Sequence, residues 1–273
     1  MSDQPQTAPQ PLALGLGERI VAGLALLIVG FFILSPSPFP LGKLDAVAYA
    51  VCHRLPEHSF FIGGQQLPLC ARCTGTFLGI LLTLATLTLA GRSRASHMPP
   101  ARVLAVLMGF VLLWGLDGLN SYLSLYPGAP HLYTPQNWLR LTTGMLNGLT
   151  MGTLVFAILN FSLWRDPRPV QVLRGLGELA GLMLLAGLLI GLVLSGVDDL
   201  LYPVALFSTL GVLAMLTSAN TVIVLIATRR ENAAYHWHDA AWPMLVALAL
   251  SLLIIMGIGA GRSALTDALD LPL

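Results

Sequence analysis

The sequence predicts an all-α fold, a polytopic transmembrane helical bundle of about seven spans with its N-terminus inside and its C-terminus outside. Three observations carry that expectation. Only 10% of the residues are charged, against about 25% in soluble domains, which is too few to cover a water-facing surface. Mean hydropathy is +0.78. Seven stretches also approach the roughly 20 apolar residues that a bilayer crossing needs, at 19–38, 74–91, 101–124, 138–163, 175–197, 203–228 and 240–261. A net charge of +1 and the lack of a basic stripe interleaved with aromatics argue against a nucleic-acid partner. The expected partners are the lipid bilayer and membrane proteins that pack on oily faces.

Each segment has its own reading. Residues 1–17, rich in Pro and Gln, read as a disordered tail. A transmembrane domain follows over 18–264, and 265–273 form a C-terminal tail. The first apolar stretch stops at SPSPFP and is flanked by Arg19 alone. Without a convincing small-x-small cleavage site it reads as a retained helix, not a signal peptide. Glycines recur through 175–196, and small residues four apart allow close helix contact in lipid. Asn160 and Asn220 are single amides within spans and read as glue between helices.

Basic residues set the orientation, because short cytoplasmic loops collect Lys and Arg. With seven spans, Arg19, Arg92, Arg94, Arg102, Arg165, Arg168, Arg174, Arg229 and Arg230 share one face. Lys43, Arg54, Arg72, Arg140 and Arg262 share the other. The larger set is expected inside, which puts the connection between spans one and two on the extracytoplasmic side.

That connection holds all three cysteines, in CHRLPEHSFFIGGQQLPLCARC. Leu44, Val47, Ala48 and Val51 fall at helical spacing, so a short amphipathic helix is expected to end near Cys52 and His53, stopped by Pro56. Gly63 and Gly64 mark a turn. Cys70 and Cys73 then open the second span. Unpaired N–H groups and the positive end of the helix dipole stabilise thiolates there.

The chemistry has two main readings. Cys52, His53, Cys70 and Cys73 make the Cys₃His set that zinc takes tetrahedrally, with Arg54 and Arg72 placed to balance the negative charge of three thiolates. On this reading the sulfurs lie within about 4 Å of one another. His58 is an alternative fourth ligand. The second reading is a thiol–disulfide oxidoreductase using Cys70 and Cys73, although a single extra thiol leaves its electron relay incomplete. An odd cysteine count also fits one structural disulfide and a spare thiol.

Ionisable groups inside spans are costly and point to function. Asp117 lies near the outer end of span three, with Asn120 one turn further out. Asn137, Arg140, Thr143 and Asn147 run along one face of span four at the same depth. Asp117 and Arg140 are natural ion-pair partners, either locking the bundle or walling a pocket beside the cysteines. His236 and His238, in YHWHDAAW, read as part of an aromatic and polar interface belt. No Walker loop, His-Glu-x-x-His, Gly-x-Ser-x-Gly or dinucleotide fingerprint is present.

The run Cys52-His53, Pro56-Glu57, Ser59, then Pro68, Cys70, Arg72, Cys73, Thr74 and Gly75 resembles the signature of a family of uncharacterised prokaryotic multipass membrane proteins. A second block, Asp117-Gly118 with Asn137, Arg140, Thr143 and Gly144, resembles that family's second motif. The likeness covers roughly 45–150 and departs at His58, where the family often has Arg. It implies a shared site built from both blocks, and it implies no reaction. The protein as a whole is expected in the cell inner membrane.

Overall fold

A computed structural model describes residues 15–37, 39–126, 128 and 130–269. Eight α-helices run through them, and seven are long and apolar enough to cross a membrane. The expected all-α bundle is therefore what forms. In order, α1 is Leu16–Leu34, α2 Lys43–Val51, α3 Ala71–Leu89 and α4 Ala101–Leu123. Then come α5 Asn137–Leu163, α6 Leu176–Leu194, α7 Leu201–Ala227 and α8 Trp237–Leu269. Four short strands, β1 Phe61–Ile62, β2 Gln65–Gln66, β3 Ala95–His97 and β4 Arg168–Gln171, lie in the connections. The expected tail over 1–17 falls mostly outside the described residues, and its last two positions already belong to α1. At the other end α8 continues through 265–269, where a tail was expected, and 270–273 lie outside the described residues.

Helix α3 is the axis of the packing, because glycine lets backbones touch. A Cβ placed on Gly75 would sit 2.2 Å from the Leu141 carbonyl oxygen, and one on Gly79 would sit 2.5 Å from that of Met145. From the α5 side, Gly144 faces the Arg72 oxygen at 2.2 Å and Gly148 the Thr76 oxygen at 2.1 Å. On its other flank Gly211 of α7 meets the Phe77 oxygen at 2.1 Å. These small-residue contacts replace the hydrophobic drive that lipid removes. The glycine-rich α6 does not behave as expected. Around Gly177, Gly181, Gly187 and Gly191 an added Cβ would meet nothing within 4 Å. Helix α6 packs through Leu179, Leu182, Ala186 and Val193, and its glycines face outward.

Both ends of the bundle are tied. At the end remote from the cysteines, Arg92 pairs with Glu178 and Arg230 with Glu18. Trp164 Nε1 donates to the Ser93 carbonyl at 2.6 Å, and β3 lies parallel to β4. Asn160 donates to the Ala95 carbonyl at 2.9 Å, so it holds a loop and not a second helix. Asn220 does bridge helices, donating to Ser251 Oγ at 2.8 Å between α7 and α8.

Candidate functional site

The cysteine end is built from α2 upward. Asp45, 1% exposed, accepts the Leu41 N–H and the Arg54 guanidinium, at 3.0 and 2.6 Å. The helix stops at Cys52, whose backbone is extended (φ −134°), and Arg54 follows at φ +56°. The chain thus leaves the helix four residues before Pro56, the expected stop, and Pro56 instead opens a 3₁₀ turn over Pro56–His58. Gly63 and Gly64, both at positive φ, form the two-residue turn that joins β1 to β2. Buried Ile62 and Leu67 seat this hairpin, and Gln66 Nε2 donates to the Arg54 carbonyl at 2.9 Å. The chain is thereby returned to Cys70, the N-cap of α3.

The ligand atoms of Cys52, Cys70 and Cys73 all lie within 4.8 Å of one another, and none of the three is in a disulfide. The Cys70 N–H donates to Cys52 Sγ at 3.3 Å. Hydrogen bonds from the Cys70 and Cys73 thiols, in that order, hold the Cys52 thiol well below its ordinary value despite burial. The trio sits in an apolar cluster with Phe32 of α1, Val212 of α7 and Leu252 and Ile255 of α8.

His53 does not join the sulfurs. Its ring is exposed and its Nε2 lies 3.3 Å from Nδ1 of His58. Burial first, and Arg140 second, keep His58 below the ordinary imidazole value. Arg54 and Arg72, expected to balance thiolate charge, each hold a buried carboxylate instead.

The expected Asp117–Arg140 pair is corrected. Asp117 Oδ2 accepts from Arg72 Nη2 at 2.5 Å and Nε at 3.2 Å. Arg140 turns to Ser121 Oγ (3.4 Å) and Asn137 Oδ1 (2.8 Å). Arg72 rises from the first turn of α3 and reaches Asp117 of α4 through both Nε and Nη2. Thr143 and the Tyr133 hydroxyl complete the Asp117 shell at 3.2 and 2.8 Å. Asn120 Oδ1 accepts the Leu132 N–H at 2.7 Å and folds the α4–α5 connection back over this network. Asn137 Nδ2 donates to the carbonyls of Glu57 and Ser59, both at 3.2 Å, so α5 grips the cysteine loop directly.

Arg262 of α8 was missed as a site residue. It donates to the carbonyls of Tyr49 and Cys52 at 2.7 and 2.5 Å and lies 4.3 Å over the Tyr49 ring. A guanidinium there satisfies the orphan carbonyls at the end of α2. Nothing local in the sequence signals a contact spanning 210 residues. With α7 and α8 also in the apolar shell, the site draws on the C-terminal helices as well as the first four.

Tyr133 provides a pH signature. Burial, and then its hydrogen bond to Asp117, raise the phenol from 10.0 to about 12. A raised folded value means that this docking contribution is fully present below pH 10 and lost as pH rises through about 12. The difference between the phenolate absorbance titrations of wild type and Tyr133→Phe should show one group near 12. A difference centred at 10 would show that Tyr133 is not docked.

The family described as Predicted membrane protein (DUF2085) matches residues 52–154, a span that contains the three cysteines, Asp117 and Arg140. An uncharacterised protein of Methanocaldococcus jannaschii is 29% identical over 116 residues, 42% of this chain and 66% of that protein. An uncharacterised protein of Methanothermobacter thermautotrophicus is 32% identical over 84 residues, 29% of this chain and 76% of that protein. The chain belongs to this DUF2085 family. No solved structure matches it. The DUF2085 region ends within α5, so α6, α7 and α8 lie beyond the family match, while α7 and α8 still pack on the site.

Proposed function

We propose that this DUF2085 protein binds zinc through Cys52, Cys70 and Cys73, and that the metal pins α2 and its loop to the start of α3. The observation that carries the reading is the convergence of three free cysteines from two separate segments within 4.8 Å. A tetrahedral ion with Zn–S near 2.3 Å draws three sulfurs to about 3.8 Å apart, a small contraction from that spread. His53 closes the fourth position by turning from His58; otherwise water occupies it.

The thiol–disulfide alternative rests on the Cys70-x-x-Cys73 placement at a helix start. Here a third sulfur, that of Cys52, lies within 4.8 Å of both motif sulfurs, and none of the three is in a disulfide. Three converged free thiols suit a cation better than a two-thiol exchange motif. A third reading, an accessory subunit of a larger membrane complex, rests on the exposed apolar faces of α1 and α6.

We place the cysteine end on the extracytoplasmic side of the cell inner membrane. The basic residues at that end are structural: Arg54 and Arg72 hold carboxylates, Arg262 caps α2, and Lys43 donates to Ser35 Oγ at 2.6 Å. Discounting them sharpens the positive bias of the opposite end.

Zinc analysis of purified protein tests the reading. We expect one thiolate-bound zinc per chain, lost in Cys70→Ser along with the protection of the other two thiols from alkylation. Undiminished zinc in Cys70→Ser, or metal-free protein with a reducible Cys70–Cys73 bond, would sink it.

A further inference from the structure

At the end of the bundle remote from the cysteines, the chain enters α8 through Tyr235-His236-Trp237-His238-Asp239. Asp239 occupies the third position of the helix. Its Oδ2 accepts the N–H groups of Tyr235 and His236 at 3.0 and 2.9 Å, which satisfies the open helix start. One carboxylate oxygen is enough for that. The other, Oδ1, is buried and accepts no aligned hydrogen bond, although the side chain is only 6% exposed. An unsatisfied buried oxygen on an ionised carboxylate calls for a positive partner.

Two imidazoles flank the carboxylate. His238 Nε2 lies 3.1 Å from Oδ1, and His236 Nδ1 lies 3.9 Å from Oδ2. The rings are stacked, with centroids 5.2 Å apart and planes at 11°. One ligand atom from each of the three residues falls within a 4.8 Å envelope. An open cavity of about 280 Å³ adjoins them, lined in part by His238, Asp239 and Arg230.

We propose that His236, His238 and Asp239 form a second metal site, for a divalent first-row transition ion, with water in the remaining positions. Two imidazoles and one carboxylate suit zinc, nickel or copper, whereas a thiolate trio selects softer binding. The backbone N–H groups on Oδ2 fix the carboxylate as an outer-shell partner would. Both rings are more than half exposed and free to turn their nitrogens onto an ion. The positive end of α8 opposes a cation, and the ionised Asp239 offsets it. A plain interface belt explains the two histidines and the tryptophans. It does not explain why the buried Oδ1, with His238 Nε2 3.1 Å away, accepts no aligned hydrogen bond.

The site stands apart from the cysteines, and so does its test. Tag-free, full-length protein in lipid nanodiscs is dialysed against zinc, and bound metal per chain is measured. The His236→Ala/His238→Ala variant is expected to bind one equivalent fewer than wild type, and a variant with all three cysteines changed to Ser is expected to retain one. If the cysteines hold no metal, the same histidine substitutions still take the count from one to zero. Asp239→Asn keeps an oxygen for the helix-start N–H groups while removing the charge, and should weaken zinc binding by about ten-fold or more. Zinc content unchanged by the two histidine substitutions overturns the proposal, as does unchanged affinity in Asp239→Asn.

Discussion

Replacing Gly148 by alanine is expected to destabilise the protein by about 3 kcal/mol, at the upper end of what overpacking costs. The new Cβ would lie 2.1 Å from the Thr76 carbonyl oxygen and 3.0 Å from the Gly79 Cα. Both obstacles are backbone, so neither can swing aside. The helices α3 and α5 must separate, and the contacts at Gly75, Gly79 and Gly144 loosen with them. The matched control is Gly187→Ala on α6, where nothing lies within 4 Å. Alanine there should be neutral or stabilising by up to about 1 kcal/mol through helix propensity. Unfolding of the two variants in the same detergent gives the comparison. Equal effects would mean that α3 and α5 do not meet through their glycines.

The second large effect concerns charge. Asp117→Ala is expected to cost about 3–5 kcal/mol, the range for breaking a buried ion pair by removing one partner. The carboxylate is 2% exposed and the Arg72 side chain 19% exposed, so the abandoned guanidinium has little water to turn to. The Tyr133 hydroxyl loses its acceptor in the same step, while Thr143 keeps the Leu139 carbonyl at 3.0 Å. Replacing both partners, as Asp117→Leu with Arg72→Met, should cost far less than the sum of the single changes, because no unpaired charge remains. Strict additivity across that cycle would show that Arg72 is not the partner of Asp117.

Much of the fold was legible because hydropathy is a local property. A run of apolar residues long enough to span declares itself without knowledge of its neighbours, and α3 to α8 lie close to the predicted stretches. The Gly63-Gly64 turn and the opening of α3 at Cys70 were legible for the same reason, since turn and cap chemistry act within a few residues. Partner choice was not. Arg72 and Arg140 are both guanidiniums at the right depth, and only the way α3 and α4 both pack on α5 selects the first. Glycine spacing in α6 gave the same signal as in α3 and α5, yet its glycines face outward. Spacing shows which side chains are small, not which helix lies opposite. His53 follows a ligand-type cysteine in sequence, but the extended backbone at Cys52 sends successive side chains to opposite sides. Arg262 comes back to cap α2 from the far end of the chain, a contact with no local signature.

The most direct test of the central proposal is X-ray absorption at the zinc edge, on protein carrying His236→Ala and His238→Ala so that the thiolate site alone remains. The expected spectrum shows three sulfur scatterers at about 2.3 Å and one lighter ligand. A spectrum with only nitrogen and oxygen neighbours, or a protein that takes up no zinc while its three thiols are reduced, would contradict it.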